Sequence, residues 1–307
     1  MRIFRNFDDA RGIISPVVTT GSFDGVHIGH KAIINRLRSM AAKHGGESVL
    51  ITFHPHPRKV LYPESAGKDL RLINSQEEKM YLLEKSGLDN VIIIEFTREF
   101  SRITSEEFVR DFLHDKLKAK VVVAGFNHHF GFNQEGDYRQ LWNMREKYNF
   151  EAEEIPEQEV QHETVSSTRI RKAISEGYIQ RANAYLDHYY IIMGVAELPA
   201  SPFSWSVPVF YRIAVTDENK LLPSDGVYAV SVDTGGEIMK GMVLIYTGRP
   251  GMREVLVNLP ADKRNIAGLK CILLFQKKIT GPLSEDNPEL AAQKLDKAVK
   301  EILELIY

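Results

Sequence analysis

The 307-residue chain carries 39 Lys and Arg against 41 Asp and Glu, a formal net charge of −2. So even a balance argues against a dedicated nucleic-acid or anionic-membrane binder, and any basic site must be local and sized for a small anion. The length favours two domains with a real hydrophobic core, and no apolar run approaches the ~20 residues needed to cross a bilayer.

The N-terminal ten residues lack the apolar stretch of a signal peptide, and the single cysteine, Cys271, sits in the apolar run Cys271-Ile272-Leu273-Leu274-Phe275. Alone it forms no internal disulfide and reads as a small core residue. A cytoplasmic protein is expected.

In chain order, Pro16–Thr20, Ser48–Phe53, Asn90–Phe96 and Lys120–Ala124 are short Val- and Ile-rich runs that predict buried strands. Helical patterns separate them. Ser75-Gln76-Glu77-Glu78 has the spacing of a capping box, and its helix should stop at Gly87. Thr104-Ser105-Glu106-Glu107 repeats the signal ahead of Phe108, Val109, Phe112 and Leu113. Alternation of apolar strands with helices implies an α/β domain whose parallel sheet is covered on both faces.

The pattern changes near residue 185. Tyr190–Ala196, Val207–Val215, Gly226–Val232, Met239–Tyr246, Arg253–Asn258 and Leu269–Gln276 read as short strands separated by turn residues, the pattern of a barrel or sandwich. Asn287 as N-cap and Pro288 at the first helical position open a last helix, with Leu295, Val299, Ile302 and Ile306 as its stripe. Two domains are expected, residues 1–185 and 186–307.

The chemistry concentrates in Thr20-Gly21-Ser22-Phe23-Asp24-Gly25-Val26-His27-Ile28-Gly29-His30, between the first strand and a helix. That is the carboxyl edge of a parallel sheet, where such folds bind ligands. A helix start offers unpaired N–H groups and partial positive charge to a phosphate. Gly21, Gly25 and Gly29 let the backbone bend and a ligand approach. His27 and His30, three apart, share a face and can donate to phosphate oxygens as charge grows in phosphoryl transfer. A histidine pair is also compatible with a metal site, but structural and catalytic metals usually need three or four protein ligands, and no cysteine lies nearby.

The segment Gly-x-Phe-Asp-Gly-x-His-x-Gly-His resembles the first motif of the nucleotidylyltransferase superfamily, in the form used by bacterial bifunctional riboflavin kinase/FMN adenylyltransferases. Thr52-Phe53-His54-Pro55-His56-Pro57-Arg58, Glu78-Lys79 with Leu82-Leu83, Gly87 and Asp89, Phe100-Ser101 with Glu106-Glu107-Phe108, Gly125-Phe126-Asn127-His128-His129-Phe130-Gly131 and Val165-Ser166-Ser167-Thr168-Arg169-Ile170-Arg171 resemble further motifs of that family, in its order. The resemblance spans residues ~15 to 190. It implies a Rossmann-like nucleotidylyltransferase domain followed by a small β-barrel, and transfer of AMP from ATP to FMN to give FAD, with Mg²⁺ on the phosphates. It also implies catalytic roles for Asp24, His27, His30 and Arg171, and places Gly21, Phe23, Gly29, His56, Arg58, Asn127, Phe130, Ser166, Ser167, Thr168 and Arg169 around the substrates.

The residue chemistry agrees. Ser166, Ser167 and Thr168 can cap a helix whose start forms a second anion site. Arg169 and Arg171, two apart, point in different directions, so one of them can reach a phosphate; the family motif has its arginine at 171, and the resemblance therefore implies Arg171 for that role. Pro55 and Pro57 stiffen the loop of His56 and Arg58. The Asn127 amide suits ribose or base better than Mg²⁺, which leaves Asp24 for an electrostatic or metal-linked role.

In the second half, Leu222-Pro223-Ser224-Asp225-Gly226-Val227-Tyr228-Ala229-Val230, Gly248-Arg249-Pro250 and Glu254-Val255-Leu256 resemble the family's kinase barrel, and Glu254 matches its proposed base. The kinase's glycine-rich stretch and its G-x-P-T-A-N segment are replaced by residues 194–208, Gly-Val-Ala-Glu-Leu-Pro-Ala-Ser-Pro-Phe-Ser-Trp-Ser-Val-Pro. The barrel should therefore fold but phosphorylate riboflavin poorly or not at all, with Glu254 a remnant. The alternatives are a fully bifunctional enzyme, a related transferase with another acceptor, and a catalytically inactive flavin-binding regulator.

Overall fold

The computed structural model describes the chain apart from Asn127, residues 161–162, 201–207, 249–251, Lys263, 284–286 and 306–307, and the side chain of Ala200. Four sequence expectations thus lie wholly or partly outside the described residues: Asn127, residues 201–207 of the segment replacing the kinase signature, the Arg249–Pro250 pair, and Ile306 in the last helix. The chain divides into two compact units, Met1–Leu70 with Lys79–Ser166, and Arg71–Glu78 with Ser167–Tyr307.

In the first unit the elements run β1 (Arg2–Phe4), β2 (Val17–Thr20), α1 (Ile28–Lys43), β3 (Ser48–His54) and α2 (Pro57–Leu61). There follow α3 (Gln76–Lys85), whose first turn belongs to the second unit, β4 (Asn90–Glu95), α4 (Ser105–Glu107), β5 (Val121–Gly125), α5 (Tyr138–Met144) and β6 (Glu151–Ile155). A short pair, β7 (Glu159–Val160) and β8 (Glu163–Thr164), ends the unit. The six main strands are parallel in the order β1-β4-β3-β2-β5-β6.

Strand side chains alternate between faces, and both faces are apolar. Val18, Val49, Ile51, Ile92, Ile94 and Val122 join one core cluster. Val17, Leu50, Val91, Ile93, Val121 and Val123 join the other, with Ile34, Leu37 and Met40 of α1. This is the doubly covered sheet expected from continuous apolar strands. Both capping boxes form. Ser75 N–H donates to Glu78 Oε2 at 2.9 Å while Glu78 N–H donates to Ser75 Oγ at 3.2 Å. Thr104 and Glu107 make the same reciprocal pair. From Phe108 to Lys116 the helix begun by α4 continues as a π-helix.

The strand order sets the ligand position. From β2 the chain moves one way, to β3 and β4, then returns to the other side of β2 for β5 and β6. The carboxyl ends of β2 and β5 therefore flank a topological switch point, where the crossovers diverge and leave a crevice.

The second unit holds α6 (Ser167–Ser175), α7 (Ile179–Leu186), six strands β9 (Tyr190–Ala200), β10 (Phe210–Ala214), β11 (Gly226–Asp233), β12 (Ile238–Thr247), β13 (Arg253–Asn258) and β14 (Lys270–Thr280), and α8 (Pro288–Glu304). The strands close an antiparallel barrel in the order β10-β13-β12-β11-β14-β9. Residues 167–185 cluster with this barrel, although the sequence pattern groups them with the preceding domain. Cys271 is buried there, and burial pushes its thiol pKa up, consistent with an inert core residue.

The segment Arg71–Glu78 is tied into the same unit. Leu72 N–H donates to Asn219 O at 2.7 Å, and Leu221 N–H donates to Leu72 O at 2.8 Å. Lys220, with its side chain 0% exposed, donates to Glu78 Oε2 at 2.6 Å, Ile73 O at 2.6 Å and Ile191 O at 2.8 Å. The other Glu78 oxygen accepts from Met193 N–H at 2.9 Å. The ammonium thus spends its three protons on three acceptors, which a buried charge requires.

α8 packs Ala291, Leu295, Ala298 and Ile302 into a cluster with Phe210, Val227, Met242 and Leu256 of the barrel. Asn287 caps it, its Oδ1 accepting from Leu290 N–H at 3.1 Å. Asn287→Ala should cost about 1 kcal/mol, read as a lower urea midpoint with an unchanged denaturant slope.

Candidate active site

A cleft of about 890 Å³ opens at the switch point, between the loops after β2 and β5. Gly21, Phe23, His30, His56, Arg58 and Phe130 line it, so six of the expected site residues share one wall system. His27 does not reach the surface of the cleft. It is 7% exposed and stacks on His30, ring centroids 3.6 Å apart and planes at 18°. Phe23 covers the other side of His30, at 4.3 Å between centroids. The three rings form a pile with His30 in the middle, and of the two imidazoles only His30 lines the cleft.

The local sequence explains the pile. The turn after β2 holds three residues in the left-handed region, Phe23 (φ 50°), Gly25 (φ 94°) and Val26 (φ 42°). Only one of the three is glycine, so this backbone is strained and must be held by its surroundings. Phe23 and Val26 are buried at 2% and 1% exposure, which anchors the turn in the core. His27 is the N-cap of α1 without a side-chain capping bond, and no acidic residue occupies the first turn. The positive end of such a helix start favours an anion. Gly29 lets the His27 ring lie close: a Cβ there would stand 3.2 Å from His27 Cε1, a tight contact.

Burial, then the neighbouring His27 and Lys79, hold the His30 pKa well below the usual imidazole value. Its Nδ1 has no hydrogen-bond partner among the described residues. Across the cleft, burial and then His129 push His128 down to about 4, and its ring stacks near Phe130 at 5.7 Å. In both rings burial favours the neutral imidazole. Phe53, Phe96, Phe100 and Phe108 complete an aromatic flank on the same cleft.

Asp24 is buried at 4% exposure. His56 caps α2, its Nδ1 accepting from Arg58 N–H at 3.2 Å, so this residue both stiffens the turn and borders the cleft. Arg58 is exposed at the rim. Ser166 closes the first unit; Ser167, Thr168, Arg169 and Arg171 belong to α6 in the second. On α6, Arg169 is exposed and Arg171 half-buried, on either side of the buried Ile170, as their spacing implies. In the barrel, Glu254 pairs with Arg212, Oε1 to Nη2 at 2.8 Å.

Sequence reasoning passed over Lys79 and Thr52. Lys79 is 7% exposed and donates to Thr52 Oγ1 at 3.1 Å and to Ser22 O at 3.2 Å. Burial pulls its pKa down to about 8, against the opposing attraction of Asp24. A lysine in an amphipathic helix ordinarily reads as solvated, and only its place in the quoted Glu-Lys helix marked it. Among the described residues no group of three His, Cys, Asp or Glu is arranged to hold a metal, and no helix is long and apolar enough to cross a membrane.

The model of one protein family, described as FAD synthetase, matches residues 13–169. The bifunctional riboflavin kinase/FMN adenylyltransferase of Listeria monocytogenes is 32% identical over 232 residues, 76% of this chain and 72% of the relative. The protein of the same name from Bacillus subtilis is 26% identical over 298 residues, covering 94% of this chain and 91% of its own length. A crystal structure titled as a macrolide-efflux protein from Streptococcus pneumoniae superimposes with a TM-score of 0.84 over 99% of this chain and 98% of its own, at 24% identity, a likeness of fold alone. The chain belongs to the FAD synthetase family.

Proposed function

We propose that the protein transfers the AMP moiety of ATP to the phosphate of FMN, giving FAD and pyrophosphate. The observation that carries this reading is the ring pile at the start of α1, which presents His30 beside a helix N-terminus to a cleft with an aromatic flank. One side suits a chain of phosphates and the other a flat ring system.

In the proposed reaction a terminal phosphate oxygen of FMN attacks the α-phosphorus of ATP in line. The new P–O bond forms as the bond to pyrophosphate breaks. No covalent enzyme intermediate is needed, so positioning and electrostatics supply the rate. His30 and the first-turn N–H groups of α1 receive the α- and β-phosphates, with His27 stacked behind. Gly21, Phe23 and Gly29 shape the turn. His56, Arg58 and Phe130 border the substrates. Ser166, Ser167, Thr168, Arg169 and chiefly Arg171 receive the departing pyrophosphate.

A Mg²⁺ would be held mainly through substrate oxygens and water, with Asp24 the carboxylate of the turn that could assist it. Such an ion neutralises charge on the phosphates. Residues 1–185 carry this cytoplasmic activity. The barrel, in residues 186–307, phosphorylates riboflavin weakly or not at all. Two features support that: the kinase segment is replaced in sequence, and Glu254, the matching base, is paired with Arg212.

One pair of incubations tests both statements. With FMN and Mg-ATP, FAD and pyrophosphate should appear at an enzymatic rate; with riboflavin and Mg-ATP, FMN should not. Accumulation of FMN from riboflavin would establish a bifunctional enzyme. Tight flavin binding without pyrophosphate release would establish a regulator.

A further inference from the structure

We propose that Lys79 is a positioning residue for adenylyl transfer, fixing the strained turn that carries His27 and His30 by donating from its buried ammonium to Ser22 O and Thr52 Oγ1. This rests on the adenylyl-transfer reading of the cleft.

The turn cannot hold itself. Phe23 and Val26 adopt a left-handed backbone that β-branched and aromatic residues disfavour. Something must hold the peptide that enters this conformation, and Ser22 O is the acceptor at that point. It accepts twice, from Lys79 Nζ at 3.2 Å and from Thr52 Oγ1 at 3.2 Å. Lys79 also donates to the Thr52 hydroxyl at 3.1 Å, which closes a three-membered node at the end of β3. Its charge is balanced by Asp24 in the same turn. A buried ammonium needs this much support, so its retention behind a ligand loop calls for a reason. Lys79 does not line the cleft and touches no substrate position. Its effect passes through the turn to the imidazole pile. Small displacements of a positioned group cost about 10²-fold in rate.

The test compares wild type with Lys79→Met, Thr52→Val, the double variant and Lys79→Arg. Turnover of FMN and Mg-ATP is measured with amide hydrogen exchange over residues 21–26. Lys79→Met should lower kcat about a hundredfold with KM for both substrates little changed, and should speed exchange in the turn. Thr52→Val should act in the same direction. The double variant should lose little more than Lys79→Met, because both remove one node. Lys79→Arg, which keeps a charged donor, should recover part of kcat. Wild-type kcat and exchange in Lys79→Met would overturn the inference. So would additive losses in the double variant, or a loss in Lys79→Arg as large as in Lys79→Met. If wild type makes no FAD, the adenylyl-transfer reading falls, and unchanged or faster exchange in the turn still decides whether Lys79 anchors it.

Discussion

His30→Ala should lower FAD formation by about 10²- to 10³-fold, the range for removing one preorganised donor from a developing oxyanion. The loss should fall on kcat more than on KM, because the contact strengthens as charge moves toward pyrophosphate. Far-UV circular dichroism should not change, since His30 is half-buried at the cleft rather than in the sheet core. A second readout follows from its lowered pKa, caused first by burial and then by His27 and Lys79. The imidazole is neutral in the free protein. A bound triphosphate brings negative charge beside it and favours the imidazolium. ATP binding near neutral pH should therefore take up protons, seen as a binding enthalpy that varies with the buffer's ionisation heat. His30→Ala should reduce that uptake. The sign for stability is also fixed. The unfolded chain protonates this group first, so it costs stability as pH falls below the ordinary imidazole pKa. The alanine variant should lose less stability on mild acidification than wild type. An unchanged kcat would remove His30 from the machinery.

Lys220→Met should destabilise the second unit by about 3–5 kcal/mol, the range for breaking a buried ion pair from one side. The cost comes from what remains. Glu78, with its side chain 1% exposed, would keep its carboxylate without a cation. Ile73 O and Ile191 O would lose the donor they share. Glu78→Gln alone should cost less, because the amide oxygen can still accept from Met193 N–H. The double variant Glu78→Gln/Lys220→Met should be more stable than Lys220→Met, since it buries no lone charge. Urea unfolding of the four proteins completes the cycle. Equal stability of wild type and Lys220→Met would show that the pair contributes nothing.

Much of the architecture was legible in the sequence because burial leaves local marks. β2, β3, β4 and β5 are apolar runs. Both capping boxes and the Asn287-Pro288 helix start are spelled out over four residues. β1 and β6 left no such mark. They form the two edges of the sheet, where a strand is half-exposed, and Glu151-Ala-Glu-Glu-Ile155 reads as a polar loop. The π-helical turn over Phe108–Lys116 keeps an ordinary helical composition, so nothing local announces it. At the site, six of the residues expected from the motifs line the cleft. The motifs did not convey that His27 lies beneath His30, which depends on a turn with three positive φ angles. Lys79 and Lys220 escaped for a shared reason. A lysine's burial is decided by partners distant in the chain, Thr52 and Ser22 for one and Glu78, 142 positions away, for the other.

The eight residues Arg71–Glu78 also decide how the protein can be cut. A fragment beginning at residue 167 or 186 would contain the whole barrel yet lack the strip that supplies Glu78 and the backbone partners of Asn219 and Leu221. Lys220 would then face an apolar interior with its counter-ion missing. Such a fragment should be recovered mainly as aggregate. Co-expression with a peptide spanning residues 71–78, or fusion of that strip through a flexible tether, should return it to solution. For the same reason, a chimera that exchanges the barrel for a relative's must exchange these eight residues too, although they are encoded almost a hundred codons upstream.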